Sequence, residues 1–287
     1  ILAMRGAWEQ GRLVPAGSLW QHLLDSAVPP EGARPMTGES RVDAIDLIDD
    51  LMTGDALDAQ ARDQLNSRLE PAVFALPVDG TTPGEWDSQL RARQIGVLAW
   101  LRPDDSNLMA RLLRVARQDA DIRAQLAAWS ALGTMTPGAV GDALRDVARD
   151  TAAGIAVRTT ALQSLADWSD RAQPDEAETT RSLFARLINE SATPSPVRAI
   201  SSRLLGERSA FDPAHRAMVR RVAEQDADPA VRAAAIVGYA LGTPADADAE
   251  RDATVWLKNR ARIDSSPVVR NAADRALSML PLARDNQ

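Results

Sequence analysis

Residues 226–242 read DADPAVRAAAIVGYALG. Asp228 followed by Pro229 is a helix-start signal, because a short acceptor side chain caps the first free N–H groups and proline suits the first turn. From there Val231, Ala235, Tyr239 and Leu241 recur at helical spacing and form one apolar stripe. Gly242 stands where such a helix should stop. A helix this short, with one apolar stripe, is stable only when neighbours cover the stripe.

The neighbours are further copies of the same phrase: an aliphatic residue, then Arg, then a segment rich in Ala and Leu. They begin at Leu90-Arg91, Ile122-Arg123, Val157-Arg158, Val197-Arg198, Val231-Arg232 and Val269-Arg270. The spacing is about 32 to 40 residues, which suits two helices per unit. Ser195-Pro196 and Ser266-Pro267 repeat the start signal, and Gly133 and Gly206 repeat the stop. Between phrases lies a second amphipathic segment, at residues 107–118, 139–150, 177–190, 213–225 and 249–262. In the first of these Leu108, Leu112 and Val115 mark the inward stripe, with Arg111, Arg114 and Arg117 on the other side. Each unit is therefore expected to be a helical hairpin.

The form Asp-x-x-Pro-x-Val-Arg-x-x-Ala resembles the HEAT repeat, in particular the bacterial HEAT-like type related to phycobilisome lyase repeats. Asp226, Pro229, Val231, Arg232 and Ala235 carry the resemblance, as do Asp264, Pro267, Val269, Arg270 and Ala273. Other copies depart from it, with Ser201 in the fourth and Gln94 in the first where Ala is expected. It covers roughly residues 85–280. It implies an all-α, right-handed α-solenoid of antiparallel helix hairpins. It also implies that Arg123, Arg158, Arg198, Arg232 and Arg270 bond acids of their own or neighbouring repeats, Asp226 and Asp264 foremost, as a ladder that sets register.

The first 85 residues are less regular. Residues 18–27, 41–52 and 57–76 have helical patterning, while residues 29–38 are dense in Pro and Gly. The expected organisation is a divergent helical cap over residues 1–85, continuous with a HEAT-like solenoid over residues 86–287. A terminal unit must cover an exposed apolar face, so it departs from the repeat.

Composition narrows the function. Apolar residues make up 45% and charged residues 25% of the 287, which provides a core and excludes a disordered chain. The net charge of −7 repels phosphate backbones, so nucleic acid is not the expected partner. No run approaches the roughly 18 apolar residues that a membrane span needs. The chain has no cysteine, hence no disulfide, thiolate nucleophile or Cys-ligated metal. Lys258 is the only lysine against abundant Arg and Ala, a composition expected of a GC-rich bacterial genome. The apolar start Ile1-Leu2-Ala3-Met4 before Arg5, with the lack of Cys, leans toward the bacterial envelope over the cytoplasm.

Signatures of chemistry are absent from the sequence. His22 and His215 are the only histidines, too few for a three-histidine metal site or for iron-binding His-Glu repeats. There is no phosphate-cradling glycine loop, dinucleotide turn or nucleophile elbow. Asp43, Asp46, Asp49 and Asp50 crowd one helix, but Ile45, Ile48 and Met52 fill its opposite face, which indicates a solvated acidic surface. Residues 49–54 lack carboxylates or amides at the third and fifth positions of a calcium loop. Neither a cofactor, a metal nor a catalytic residue is expected.

The remaining candidates are Trp100, Trp129 and Trp168, all on second helices of successive repeats. The resemblance implies that these helices line a concave wall. A ring pointing outward there would be a partner-binding anchor, and a ring pointing inward would fill gaps between Ala-rich helices. The leading expectation is a non-catalytic protein–protein interaction scaffold or adaptor that binds a protein or peptide on the concave face. Alternatives are an accessory helical region of a larger enzyme and, behind it, a HEAT-like DNA-binding or DNA-glycosylase protein, which would need a positive groove.

Overall fold

The computed structural model describes residues 18–29, 37–54, 57–74, 85–136, 138 and 140–280. The regular structure among them is helical throughout, with fourteen helices and no strand. They are α1 (Ser18–Ala27), α2 (Gly38–Thr53), α3 (Ala59–Phe74), α4 (Glu85–Leu101), α5 (Ser106–Gln118), α6 (Ile122–Thr134) and α7 (Val140–Arg149). Then follow α8 (Ile155–Ser169), α9 (Pro174–Asn189), α10 (Ser195–Glu207), α11 (Pro213–Gln225), α12 (Pro229–Leu241), α13 (Ala247–Ile263) and α14 (Pro267–Leu277). The chain divides into two units, Ile1–Thr136 and Pro137–Gln287. The position at residue 85 expected to end the cap falls inside the first unit, where α3 packs on α4.

In the first unit α1–α2, α3–α4 and α5–α6 are hairpins, and their second helices α2, α4 and α6 pack side by side. In the second unit the hairpins are α7–α8, α9–α10, α11–α12 and α13–α14, and α8, α10, α12 and α14 form the row. Val157, Val197, Val231 and Val269 occupy equivalent buried settings at the starts of α8, α10, α12 and α14. Leu90 does the same in α4. Tyr239 is buried as its spacing requires, but Leu241, assigned to the same stripe, is 37% exposed and Ala240 turns inward in its place.

Aspartates start several of these helices as the patterning requires. The Asp228 carboxylate accepts from the Ala230 N–H, Asp212 from His215 and Asp105 from Asn107 and Leu108. The serine signals behave differently. Ser266 stands at its cap position without a side-chain cap bond, and Ser195 lies inside α10, whose cap is Pro194.

The ladder is built at the junctions after the first helices α11 and α13. The Asp226 carboxylate, at the end of α11, accepts from the Asp228 N–H at 2.9 Å and from two guanidinium nitrogens of Arg198 at 3.2 Å each. Its carbonyl accepts from Arg232 at 2.8 Å. Asp264 repeats the arrangement at the end of α13, with Ser266 N–H at 2.9 Å, Arg232 at 3.0 Å and Arg270 on its carbonyl at 2.8 Å. Burial alone would raise the Asp264 carboxyl, but the Arg232 guanidinium and the Ser266 N–H outweigh it and hold it below the ordinary aspartate range.

Asp119 is a third such node, taking Arg91 at 3.1 and 2.7 Å and the Asp121 N–H at 3.0 Å. Its carbonyl accepts from Gln125, not from Arg123. The second copy therefore begins two residues later than the Ile122-Arg123 phrase suggests: Ala124 is buried and Ile122 is 50% exposed. Arg123 instead reaches Glu85 at 3.4 Å on the surface. Arg158 bonds the Ala148 carbonyl, and Glu190, at the aspartate's position after α9, bonds Arg186.

Glycines set the closest approach in the row. A Cβ on Gly238 would overlap the backbone of Arg203, and one on Gly242 would overlap the Gly206 carbonyl. Gly206 and Gly242 thus let α10 and α12 touch backbone to backbone, a role beyond ending their helices. The departures from the repeat also have local partners: the buried Gln94 side chain donates to the Ala27 carbonyl at 3.2 Å, joining α4 to the end of α1.

Candidate functional site

The three tryptophans of interest fall in different settings. Trp129 is 1% exposed in the first unit. Trp168 is 2% exposed in the second, its ring lying on Gly141 with the Arg145 guanidinium 5.6 Å from the centroid. Trp100 is 38% exposed, and Arg62 sits 5.5 Å from its ring. Only this last ring of the three offers surface to a partner; the other two fill space between helices.

A larger aromatic and cationic surface lies in the second unit, between first helices α11 and α13. Arg216 stacks on Tyr239 at 4.2 Å, and Arg220 lies 5.3 Å from the Trp256 ring. The Tyr239 and Trp256 rings meet at 4.7 Å and 55°. Arg216 is held by the Gly242 carbonyl at 2.7 Å, and the Trp256 indole N–H donates to Glu224 at 2.7 Å. Arg220 pairs with Asp252 at 3.1 Å. The Arg216, Arg220 and Trp256 polar groups of this floor are thus each held by a partner.

Two hollows open on this floor with Arg220 as their common wall. One, of about 460 Å³, is lined by Phe211, Pro213, Tyr239 and Pro244 among others. The other, of about 490 Å³, is lined by Val255, Trp256, Lys258, Asn259 and Arg262. Phe211 is 94% exposed and Val255 64% exposed, so apolar surface that a core would normally take up faces solvent here.

None of the residues of this surface is among the sequence candidates, where Lys258 counts only as the single lysine. A signal was present. Val255, Lys258, Asn259 and Arg262 recur at i, i+3, i+4 and i+7, an unusual helix face that is neither core nor a mixed-charge surface.

The other charged groups are local. Asp49 is held above the ordinary aspartate range by burial, then by Asp46 and Asp50, while Asp46 itself pairs with Arg93 at 3.1 Å. Among the described residues no group of three acidic or histidine side chains converges to hold a metal, and no helix is long and apolar enough to cross a membrane.

Comparison with known proteins agrees with the architecture. Over 97% of its length the chain matches a HEAT-repeat chain in a structure of Kap95p binding that induces the switch loops of RanGDP to adopt the GTP-bound conformation. The TM-score is 0.57 at 15% sequence identity. The likeness shows the fold, an all-α solenoid of helix hairpins. It spans 38% of that neighbour's length. No family model and no curated protein sequence matches it.

Proposed function

We propose that this chain is a non-catalytic protein–protein interaction scaffold of HEAT-like repeats, of the phycobilisome-lyase-related type, that binds a protein or peptide partner. The observation that carries the reading is the pair of hollows between α11 and α13, where Phe211 and Val255 stand in solvent over a floor of stacked Arg, Tyr and Trp side chains. Exposed aromatic surface ringed by arginine is what protein interfaces concentrate in their energetic centres. The neighbour involving Kap95p and RanGDP is itself described in a protein–protein complex, which favours the same kind of use for this fold. By the family's geometry the second helices form a concave wall, and there the exposed ring of Trp100 is the proposed anchor.

The test is affinity capture with the purified chain beside a Trp100→Ala/Phe211→Ala variant of unchanged circular dichroism. Proteins retained by the wild type and lost by the variant are expected. Equal retention by both, or none by either, contradicts the reading.

A further inference from the structure

The groove between α11 and α13 combines two kinds of surface in a fixed order. At one end, Phe211, Pro213 and Pro244 make an apolar hollow beside Tyr239. At the other, Lys258, Asn259 and Arg262 stand around Val255 and the edge of Trp256. Arg220, between them, is already matched by Asp252 at 3.1 Å. Lys258 and Arg262 have no carboxylate within ion-pair distance among the described residues, although the chain has 40 acidic residues against 33 basic ones. Around the groove other cations are matched, Arg251 by Asp248 at 2.9 Å and Arg216 by the Gly242 carbonyl. Two free cations beside exposed apolar surface, on an otherwise acidic molecule, are a complement to an anionic ligand that also has an apolar part.

We infer that this groove binds an extended acidic peptide segment of a partner protein, with one aromatic or aliphatic side chain in the Phe211–Tyr239 hollow and its carboxylates at Lys258 and Arg262. The inference rests on the scaffold reading above and specifies the ligand. From Ala249 to Arg262 helix α13 rises about 20 Å, which an extended chain covers in about six residues. Asn259 offers an amide that can both donate to and accept from a peptide backbone. Nucleic acid is the weaker fit, because the net charge of −7 opposes a polyphosphate while a short peptide presents only two or three charges to a local cationic spot.

The test is selection of a phage-displayed random heptapeptide library on the full chain, with counter-selection on a Lys258→Glu/Arg262→Glu variant. Both substituted side chains are exposed, so the variant should keep the parent's circular dichroism and unfolding midpoint. Enriched peptides are expected to contain Asp or Glu plus one large apolar residue. As synthetic fluorescent peptides they should bind the double variant at least about tenfold more weakly. Phe211→Ala should weaken them independently, and added salt should weaken the wild type more than the double variant.

Peptides that bind wild type and double variant equally, or that carry no acidic residue, overturn the inference while leaving the scaffold reading intact. Displacement of the peptides by oligothymidine with preserved sensitivity to the double substitution overturns it in favour of nucleic acid. An empty selection together with empty affinity capture removes both readings.

Discussion

Asp226 and Asp264 each do two jobs at one helix junction. Their carboxylates turn back onto a backbone N–H two residues on and also receive a guanidinium from the preceding repeat, while their carbonyls receive the next arginine. The geometry depends on a one-methylene side chain, which is why Glu190, one methylene longer, leaves the node and pairs with Arg186 at 2.6 Å. Glu190→Asp is expected to restore the node, capping the following turn and facing the buried Arg158. The gain should be about 0.5 to 1.5 kcal/mol in urea unfolding, the net worth of one added charge-assisted bond. An unchanged or lowered midpoint would show that Arg158 is satisfied by the Ala148 carbonyl alone. At this scale the sequence was legible where the full phrase stands, and misleading at Ile122-Arg123. The aliphatic-Arg pair there imitates the phrase, but the Asp119-Ala-Asp121 start fixes the true register and places Gln125 where arginine stands elsewhere.

Helices α10 and α12 approach closely enough that a methyl group at Gly238 has no room against Arg203. The overlap is with backbone, so the helices must part, and Gly238→Ala is expected to destabilise the chain by about 1 to 3 kcal/mol. Gly96, in α4, has open space at its Cβ position. Gly96→Ala should therefore stabilise by about 0.5 to 1 kcal/mol, through helix propensity alone. Thermal unfolding of the two variants checks both signs; destabilisation by both would mean that glycine is needed for something other than close approach. The hairpins themselves were legible, because each helix carries its own stripe and start signal. The groove between α11 and α13 was not, because its walls come from helices separated by a whole helix in sequence. Its exposed Phe211 also looks, in sequence, like any loop aromatic.

For the molecule as a whole, stability in a repeat array is close to a sum over neighbouring interfaces, so whatever fixes one junction fixes the stack locally. In the second unit that element is the arginine–aspartate ladder running through Arg198, Asp226, Arg232 and Asp264. Its members are mostly buried, with side-chain exposures of 16% and 13% for the first pair and 10% and 5% for the second. The Arg123–Glu85 contact, which looks equivalent in sequence, is exposed at 43% and 69%. Which tryptophans stay exposed was beyond the sequence, since an Ala-rich neighbour accepts a ring from either side and only packing decides. A double-mutant cycle in denaturant unfolding tests the central claim most directly, with Arg232→Ala and Asp264→Ala set against Arg123→Ala and Glu85→Ala. The ladder pair is expected to show coupling of about 1.5 to 3 kcal/mol and the surface pair less than about 0.5 kcal/mol. Additive effects at Arg232 and Asp264, or equal coupling in the two cycles, would contradict the ladder as the device that sets the register of this stack.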